Sequence, residues 1–179
     1  MGVGSWYNTA VSVIAEMGIV TGYPDGSFKP EKKITRAEIA AIAVRFAGLI
    51  EMIPVNTANA SDITGHWAEN DIVYVIEIGL MQGYTDGTFK PNLNMTRAEF
   101  ITLVNRILER EPETADDLLP DEMIFWADNA DPDSWYYLAV QEATNSHNPK
   151  NKDKTVPGMS FNYEYWVEIL DNPDWSLIY

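Results

Sequence analysis

The chain has 179 residues, 46% of them apolar and none of them cysteine, so it can bury a core but cannot form disulfides, thiolate metal sites or a cysteine nucleophile. Its formal net charge of −15 argues against a general nucleic-acid binder and against adhesion to anionic lipid. No apolar run approaches the roughly 20 residues that span a bilayer, and residues 1–5 lack signal-peptide features, so we expect the targeting signal of an exported protein to lie outside this chain.

The chain contains an internal repeat. Residues 18–48 align without a gap with residues 79–109, at an offset of 61 positions, and the same offset pairs Trp6 with Trp67. The identical pairs include Gly18/Gly79, Gly22/Gly83, Tyr23/Tyr84, Asp25/Asp86, Gly26/Gly87, Phe28/Phe89, Lys29/Lys90, Pro30/Pro91, Thr35/Thr96, Arg36/Arg97, Ala37/Ala98, Glu38/Glu99 and Arg45/Arg106. So many matches in one register identify two copies of one unit, named copy one and copy two below.

Each copy is predicted to form a helix, a tight loop and a second helix. Apolar residues recur at i, i+3, i+4 and i+7 in both helices, and the loop reads Gly-Tyr-x-Asp-Gly-x-Phe-Lys-Pro, in which Asp-Gly supplies a turn with positive φ. A glycine at the end of the first helix suits a C-cap. The predicted buried positions are Val11, Ile14, Ala15, Gly18, Ile39, Ile42, Ala43 and Phe46 in copy one, and Ile72, Val75, Ile76, Gly79, Phe100, Leu103, Val104 and Ile107 in copy two.

A third copy is suggested in altered form. Trp135 resembles Trp67 in context, and a second helix is predicted from the same buried spacing later in the chain. The glycine-rich loop is missing, and Ser160 stands where the other copies have arginine. The residues that carry this prediction are Val140 and Ala143 for the first helix, Tyr163, Trp166, Val167 and Leu170 for the second, and Lys150, Lys152 and Lys154 for a loop between them.

The second helix of each copy opens with Thr-Arg-Ala-Glu. Thr35 with Glu38, and Thr96 with Glu99, fit a capping box, in which each side chain satisfies a backbone amide of the helix start. The arginine between them opposes the helix dipole, which prefers anions at this end. Two explanations remain open from the residues alone: a bound carboxylate, gripped by the guanidinium beside free amides, or a salt bridge within this acidic chain.

The loop, followed by Ile-Thr-Arg-Ala-Glu at 34–38 or Met-Thr-Arg-Ala-Glu at 95–99, resembles the signature of S-layer homology domains. Residues 61–68 resemble the opening segment of that family, and its absence before Trp6 suggests that copy one is truncated. The resemblance implies an all-α fold of tandem helix–loop–helix repeats in a pseudo-threefold spindle. The repeats are expected at 1–50 and 61–110, with a divergent repeat at 124–179.

The resemblance also implies what the protein binds. The expected partner is a secondary cell-wall polysaccharide, often pyruvylated, held in grooves between neighbouring units, with its carboxylate on Arg36 and Arg97. This makes the chain a non-catalytic anchoring module without a cofactor, located extracellularly in the cell wall or S-layer of a bacterium, with S-layer protein contacts as a further partner. The other candidate ligand contacts are Thr35, Thr96, Tyr23, Tyr84, Gly22, Gly83, Asp25, Asp86 and Trp67.

Several of these residues have a structural explanation as well. The loop tyrosines can stack on a pyranose ring or pack the loop, and the loop aspartates can serve the turn through its own backbone. Tryptophan at a helix start favours packing in the core or between repeats over ligand contact, which concerns Trp6, Trp67 and Trp135.

Other functions are weaker alternatives. A calcium site is suggested by Asp128, Asp131 and Asp133, although no complete EF-hand loop is present. Catalysis has no sequence motif to support it, and both histidines are isolated, with His66 expected to cap a helix or lie on the surface. A protein-binding repeat used in surface-layer assembly remains the other alternative.

Overall fold

The computed structural model of the protein describes residues 7–49 and 60–171, so the prediction for Trp6 falls outside it. The helices are α1 (Asn8–Glu16), α2 (Arg36–Leu49), α3 (Glu69–Glu77), α4 (Arg97–Ile107) and α5 (Tyr137–Thr144), with a short 3-10 turn at Ala115–Asp117. Two strands follow, β1 (His147–Thr155) and β2 (Asn162–Ile169). Within the described ranges, no helix is long and apolar enough to cross a membrane.

Both copies fold as the helix, loop and helix that their sequence predicts. Helices α1 and α2 form copy one, and α3 and α4 form copy two. The Asp-Gly turns adopt the expected positive φ, at 77° for Gly26 and 80° for Gly87. Each loop is closed by the same bond, from the amide of Tyr23 to the carbonyl of Ser27 at 2.8 Å, and from that of Tyr84 to Thr88 at 2.7 Å. Local turn chemistry therefore reproduces one loop twice.

The predicted helical faces are buried with some exceptions. One core combines Ile39, Ala43, Ile72 and Val75 with residues that follow β1. Ala15, Gly18 and Phe100 were predicted to be buried, but all three are exposed, Phe100 to 47%. Spacing alone sets the face of a helix, whereas burial also requires a neighbouring element to cover that face.

The loop of copy two contacts copy one at the start of α2. The amide of Arg36 donates to the carbonyl of Leu93 at 2.9 Å, and the amide of Ala37 donates to that of Pro91 at 2.9 Å. These are helix-start amides that have no partner within the helix. The loop of copy two therefore caps the second helix of copy one.

The all-α prediction is wrong, and with it the prediction that the third unit is a helix–loop–helix. After α5 the chain forms a two-stranded antiparallel sheet in which His147 pairs with Ile169 and Thr155 pairs with Asn162. The predicted second helix of the third unit is β2, and Lys150, Lys152 and Lys154 lie in β1 instead of a loop. Helices and an antiparallel sheet together make the fold mixed α/β.

The reason for the error lies in the composition of β2. It is rich in aromatic and β-branched residues, which favour strands over helices. Burial alternates along it, since Glu164 and Trp166 are buried while Tyr165 and Val167 are exposed. A segment this short can satisfy a helical spacing and a strand alternation at the same time, and here the strand alternation describes the structure.

The hairpin packs on both neighbours. Trp166 enters a second small core with Leu118, Met123 and Tyr137. At the other end, Gly79 has a φ of 78°, and a Cβ there would meet the Sδ of Met159 and stand 2.5 Å from the carbonyl oxygen of Gly158. Glycine at this helix end thus serves the predicted C-cap and also lets the turn that follows β1 approach α3.

Candidate functional site

Two grooves of similar size are related by the repeat. Groove one has a volume of about 660 Å³ and lies on the loop and second helix of copy one; groove two, of about 620 Å³, lies on those of copy two. Matched residues line both, and each groove also includes a tryptophan from the unit that follows. The matched pairs are Gly22/Gly83, Tyr23/Tyr84, Glu38/Glu99 and Arg45/Arg106, with Trp67 in groove one and Trp135 in groove two.

The two tryptophans do not pack in the core, so only the second part of the packing prediction, contact between repeats, remains. Their side chains are 66% and 67% exposed for Trp67 and Trp135. Each follows the start of a new unit and reaches the groove of the unit before it. An exposed indole face at the edge of a groove is the kind of surface on which a sugar ring packs.

In groove one, a tyrosine, a glutamate and a lysine form a hydrogen-bonded set. The hydroxyl of Tyr23 donates to Oε1 of Glu38 at 2.8 Å. Nζ of Lys32 donates to the same Oε1 and to the Tyr23 hydroxyl, both at 3.0 Å. The ammonium groups of Lys29 and Lys32 stand 4.3 and 4.6 Å from the centre of the Tyr23 ring. Both ammonium groups therefore lie where cation–π attraction to the Tyr23 ring is favourable.

Groove two repeats this arrangement with an arginine from the other copy. The Tyr84 hydroxyl donates to Oε1 of Glu99 at 3.3 Å, and Nη1 of Arg36 donates to the same oxygen at 2.9 Å. The Arg36 guanidinium lies 4.9 Å from the Tyr84 ring centre, and Nζ of Lys90 lies 4.0 Å from it. In groove two, Arg36 thus occupies the position that Lys32 occupies in groove one.

Arg36 is buried and connects copy one to copy two. Its side chain is only 5% exposed. Beyond Glu99, its Nε donates to the carbonyl of Phe89 at 2.8 Å and its Nη2 to that of Gln82 at 2.7 Å. Of the two explanations left open by the sequence, the salt bridge within the chain therefore describes Arg36. Arg36 nevertheless lines groove two.

Arg97 has the opposite environment. It is exposed at the start of α4 and lies outside the residues that line the two grooves. Within the described ranges, its side chain has no hydrogen bond or ion pair. No hairpin carbonyl meets the Arg97 amide as Leu93 meets that of Arg36, within the same ranges. The free cation and the first amides of α4 remain available to an anion.

The capping boxes form in both copies as predicted. The amide of Thr35 donates to Oε2 of Glu38 at 2.8 Å, and the amide of Thr96 donates to Oε2 of Glu99 at 2.8 Å. Burial opposes ionisation of Glu38, but the hydrogen bonds from Thr35, Lys32 and Tyr23 outweigh it and lower the pKa to about 2. Burial likewise opposes the bonds from Thr96 and the charge of Arg36, and the net pKa of Glu99 is lowered. Both glutamates are therefore anionic at neutral pH.

The loop aspartates serve their turns. Oδ1 of Asp25 accepts from the amide of Ser27 at 2.9 Å, and Oδ1 of Asp86 accepts from that of Thr88 at 3.0 Å. Their second oxygens pair with Lys29 at 2.8 Å and with Lys90 at 3.1 Å. These contacts hold each lysine beside its tyrosine ring, so the aspartates shape the grooves without lining them.

The opening segment of copy two supports its loop in a way that sequence reasoning missed. Oδ1 and Oδ2 of Asp62 accept from the amides of Phe89 and Lys90 at 2.7 and 2.8 Å. The motif match to residues 61–68 was the available signal, but it did not assign this role to the aspartate. His66 accepts from the amide of Ala68 at 3.2 Å, which agrees with its predicted role at a helix start.

Cationic side chains are concentrated at the grooves. The chain has twelve lysine and arginine residues against a net charge of −15. Six of the twelve line the grooves: Lys29, Lys32 and Arg45 in groove one, and Arg36, Arg106 and Arg110 in groove two. Their acidic neighbours on the groove walls are Glu38 in groove one and Glu99 and Glu111 in groove two. The grooves are therefore less negative than the rest of this acidic chain.

Groove two contains a buried pair with unused hydrogen-bonding atoms. Nε of Arg106 lies 3.7 Å from Oε2 of Glu111, and neither atom has a hydrogen-bond partner among residues 7–49 and 60–171. Burial raises the pKa of Glu111 despite the nearby charge of Arg106. Because a buried polar atom without a partner is costly, this part of the groove favours a polar ligand or water.

The hairpin unit holds a buried charged cluster that the sequence did not reveal. Nε2 of His147 lies 3.2 Å from Oε1 of Glu142 and 3.3 Å from Oε1 of Glu164. Burial disfavours the imidazolium, but the attraction of both glutamates outweighs it and raises the pKa of His147 to about 9. The two glutamates are 22 positions apart and the histidine had been regarded as isolated, so only the fold brings them together.

Comparison with known proteins agrees with the repeat. Residues 2–40 and 61–101 match the S-layer homology domain, which is a binding and anchoring module. This match covers the two clear copies; the divergent third repeat at 124–179 stays a prediction.

Three relatives extend this match. Cell surface glycoprotein 1 of Acetivibrio thermocellus is 37% identical over 133 residues, covering 68% of this chain and 6% of that protein. The cellulosome-anchoring protein of the same organism is 40% identical over 110 residues, or 60% of this chain and 25% of that protein. The surface layer protein of Brevibacillus choshinensis is 32% identical over 117 residues, which cover 64% of this chain and 10% of that protein.

The chain thus spans a quarter or less of the length of these relatives. The matched domain and the relatives together support a module for anchoring at the cell surface. They also support localisation in the cell wall or S-layer of a bacterium.

Proposed function

We propose that the chain anchors a surface protein non-covalently by binding an anionic, pyruvylated secondary cell-wall polysaccharide. The single observation that carries this proposal is the charge distribution: half of all cationic side chains line two matched grooves in a chain of net charge −15. Surface lysines and arginines in a solvated role would be spread over the molecule. Their concentration in repeated grooves favours an anionic ligand that is itself repeated.

Each groove offers the two kinds of contact that an acidic sugar needs. Tyr23 with Trp67, and Tyr84 with Trp135, provide aromatic surface for a pyranose ring. The nearby lysine or arginine provides donors for a carboxylate, with arginine able to form two parallel hydrogen bonds. Gly22 and Gly83 line the grooves, and a Cβ would stand 2.9 Å from the carbonyl oxygen of Ser27 at the first position and 3.0 Å from that of Thr88 at the second.

Arg97 provides a further contact outside the grooves. Its guanidinium and the first amides of α4 are exposed together, which suits a carboxylate on a polymer that runs along copy two. The guanidinium of Arg36 cannot bind the polymer in this way, because its donors are hydrogen-bonded to Glu99 and to the carbonyls of Phe89 and Gln82. Thr96 orders this helix start through its capping box, and Thr35 orders that of copy one.

Repetition converts weak contacts into firm anchoring. A hydrogen bond to a charged group contributes about 1.5–3 kcal/mol, so one groove holds a sugar acid loosely. Once one groove is filled, the next sugar of the same polymer meets the second groove at an effective concentration on the order of millimolar. Bulk repulsion between an acidic protein and an acidic polymer is screened beyond about 8–10 Å.

The proposal is tested by binding to purified wall polymer before and after chemical removal of its pyruvate. We expect sedimentation of the protein with wall sacculi that carry the polymer, and at least a tenfold loss when the pyruvate is removed, from the charged hydrogen-bond scale. Unchanged binding after removal would reject the carboxylate mechanism. Binding to sacculi stripped of all accessory polymer would instead favour a protein or peptidoglycan partner.

A further inference from the structure

The strongest feature outside the grooves is the buried cluster between α5 and the hairpin. His147, Glu142 and Glu164 are all buried, and each offers one ligand atom within 4.8 Å of the other two. Glu142 comes from α5, His147 opens β1 and Glu164 lies in β2. We infer that these three side chains form a Zn²⁺ site that ties the hairpin to α5.

The spacing of the donor atoms fits tetrahedral zinc. Zn²⁺ binds imidazole nitrogen and carboxylate oxygen at about 2.0–2.1 Å, which places neighbouring ligand atoms about 3.3 Å apart. Nε2 of His147 lies 3.2 Å from Oε1 of Glu142 and 3.3 Å from Oε1 of Glu164. These two distances match the edges of a tetrahedral site, the two carboxylate oxygens lie within 4.8 Å of each other, and a water would complete the fourth position.

The histidine is already oriented as a ligand. Its Nδ1 lies 2.8 Å from the carbonyl oxygen of Asn145 and donates to it, so that Nε2 faces the two carboxylates. Trp166 stacks on the ring at 4.2 Å between centroids and donates from Nε1 to Oε2 of Glu142 at 2.7 Å. A ring nitrogen held by a carbonyl and a carboxylate held by an outer donor are the usual supports of zinc ligands.

The cluster is balanced by cations that a metal can replace. Nη2 of Arg110 lies 2.7 Å from Oε1 of Glu142 and 3.0 Å from Nε2 of His147. Although it touches Arg110, Oε1 of Glu142 receives no hydrogen bond of acceptable geometry and is buried. Zinc binding would release the Nε2 proton of His147 to solvent and displace the Arg110 guanidinium from Glu142, so that one Zn²⁺ replaces two positive charges.

The side chain of Arg110 can turn into solvent when the metal enters. Its side chain is 35% exposed, and the residue also lines groove two. Turning away from Glu142 would therefore leave it hydrated instead of buried without a partner. The imidazole nitrogen selects zinc over Mg²⁺ and Ca²⁺, which prefer sites made of oxygen alone.

The test is titration of tag-free protein with Zn²⁺ by calorimetry, with thermal melting in parallel. We expect one bound zinc per chain and a higher melting temperature, with no comparable shift from Mg²⁺ or Ca²⁺. His147→Gln should abolish stoichiometric binding, a loss greater than the roughly 10- to 100-fold that follows removal of an outer-shell partner. The chain offers a matched control, because His66→Gln removes its other histidine and should leave zinc binding unchanged.

A second measurement needs no variant, in case His147→Gln does not fold. The wild-type protein has two imidazole Cε1–H signals in its proton NMR spectrum, one for each histidine. Zinc at one equivalent should shift the signal of His147 and leave that of His66 in place. Absence of stoichiometric zinc binding, or a shift confined to His66, would overturn the proposal. The result is independent of polymer binding, since the test contains no polysaccharide.

Discussion

Copy one and copy two carry the same Thr-Arg-Ala-Glu sequence, yet their arginines have different environments. The capping boxes match bond for bond, with 2.8 Å from threonine amide to glutamate in both copies. Arg36, however, is buried against Glu99 and two carbonyls, while Arg97 is exposed without a partner within the described ranges. Identical local sequence fixes the helix start but does not fix the role of the arginine.

The difference comes from the unit that follows. Copy two presents its loop to the start of α2, and the carbonyls of Gln82, Phe89, Pro91 and Leu93 receive the arginine side chain and the first amides. The unit after copy two has a hairpin in place of that loop. The same motif therefore connects two units where the next unit supplies a loop. Where the next unit has no such loop, the arginine remains available to a ligand.

The largest expected effect is on stability, at Arg36. Replacement Arg36→Met should lower the free energy of unfolding by about 3–5 kcal/mol, because it leaves Glu99 and two carbonyls without their buried partner. Arg97→Met is the matched control, with an expected change within about 0.5 kcal/mol, as for other exposed positions. Urea unfolding monitored by tryptophan fluorescence measures both. Equal losses in the two variants would contradict the assignment of different roles.

Binding should respond in the opposite order. Arg97→Ala should weaken binding to the wall polymer about 10- to 100-fold, the equivalent of one lost charged hydrogen bond. Its melting temperature should stay near that of the wild type, since the side chain has no partner to lose. Sedimentation with purified polymer at several concentrations gives the affinity. A folded Arg97→Ala protein that binds normally would remove Arg97 from the site.

The threonines should behave alike where the arginines differ. Thr35→Ala and Thr96→Ala each remove an N-cap side chain, at a typical cost of about 1 kcal/mol in the free energy of unfolding. Urea unfolding of the two variants compares them directly. A loss confined to one copy would show that the capping boxes are not equivalent, despite their matching distances.

The last expected effect is the pH dependence of copy one. The folded-state pKa of Glu38 is lowered to about 2, below its unfolded value near 4.5, so its ionised form stabilises the fold above that value. This contribution should fade as the pH falls from about 5 towards 2. Glu38→Gln should remove it, so the difference in unfolding free energy between wild type and variant should shrink with acid. A difference that grows on acidification would contradict the lowered pKa.

Much of the two copies could be predicted because their signals are local. The Asp-Gly turns, the C-cap glycines and the capping boxes depend on residues a few positions apart, and each forms as expected. The repeat then doubled every observation. Of the candidate site residues, Gly22, Tyr23 and Trp67 meet in groove one, and Gly83 and Tyr84 meet in groove two.

What could not be predicted depends on contacts between distant residues. The hairpin was mistaken for a helix because Tyr163, Trp166, Val167 and Leu170 satisfy a helical spacing, while the pairing of β2 with β1 is set by the fold. The partners of Arg36 lie 46 to 63 positions away. The exposure of Trp67 depends on where copy two places it beside copy one, which no local pattern encodes.

The central claim, that the grooves hold the acidic sugar, is tested most directly at two adjacent lysines. Lys32 lines groove one, whereas Lys33 is exposed beside it and lines neither groove. Calorimetric titration with a short pyruvylated fragment should count one site fewer in Lys32→Ala than in the wild type and in Lys33→Ala. Both variants lose one positive charge, so long-range electrostatics are matched. If the two variants bind the fragment alike, the sugar does not lie in groove one.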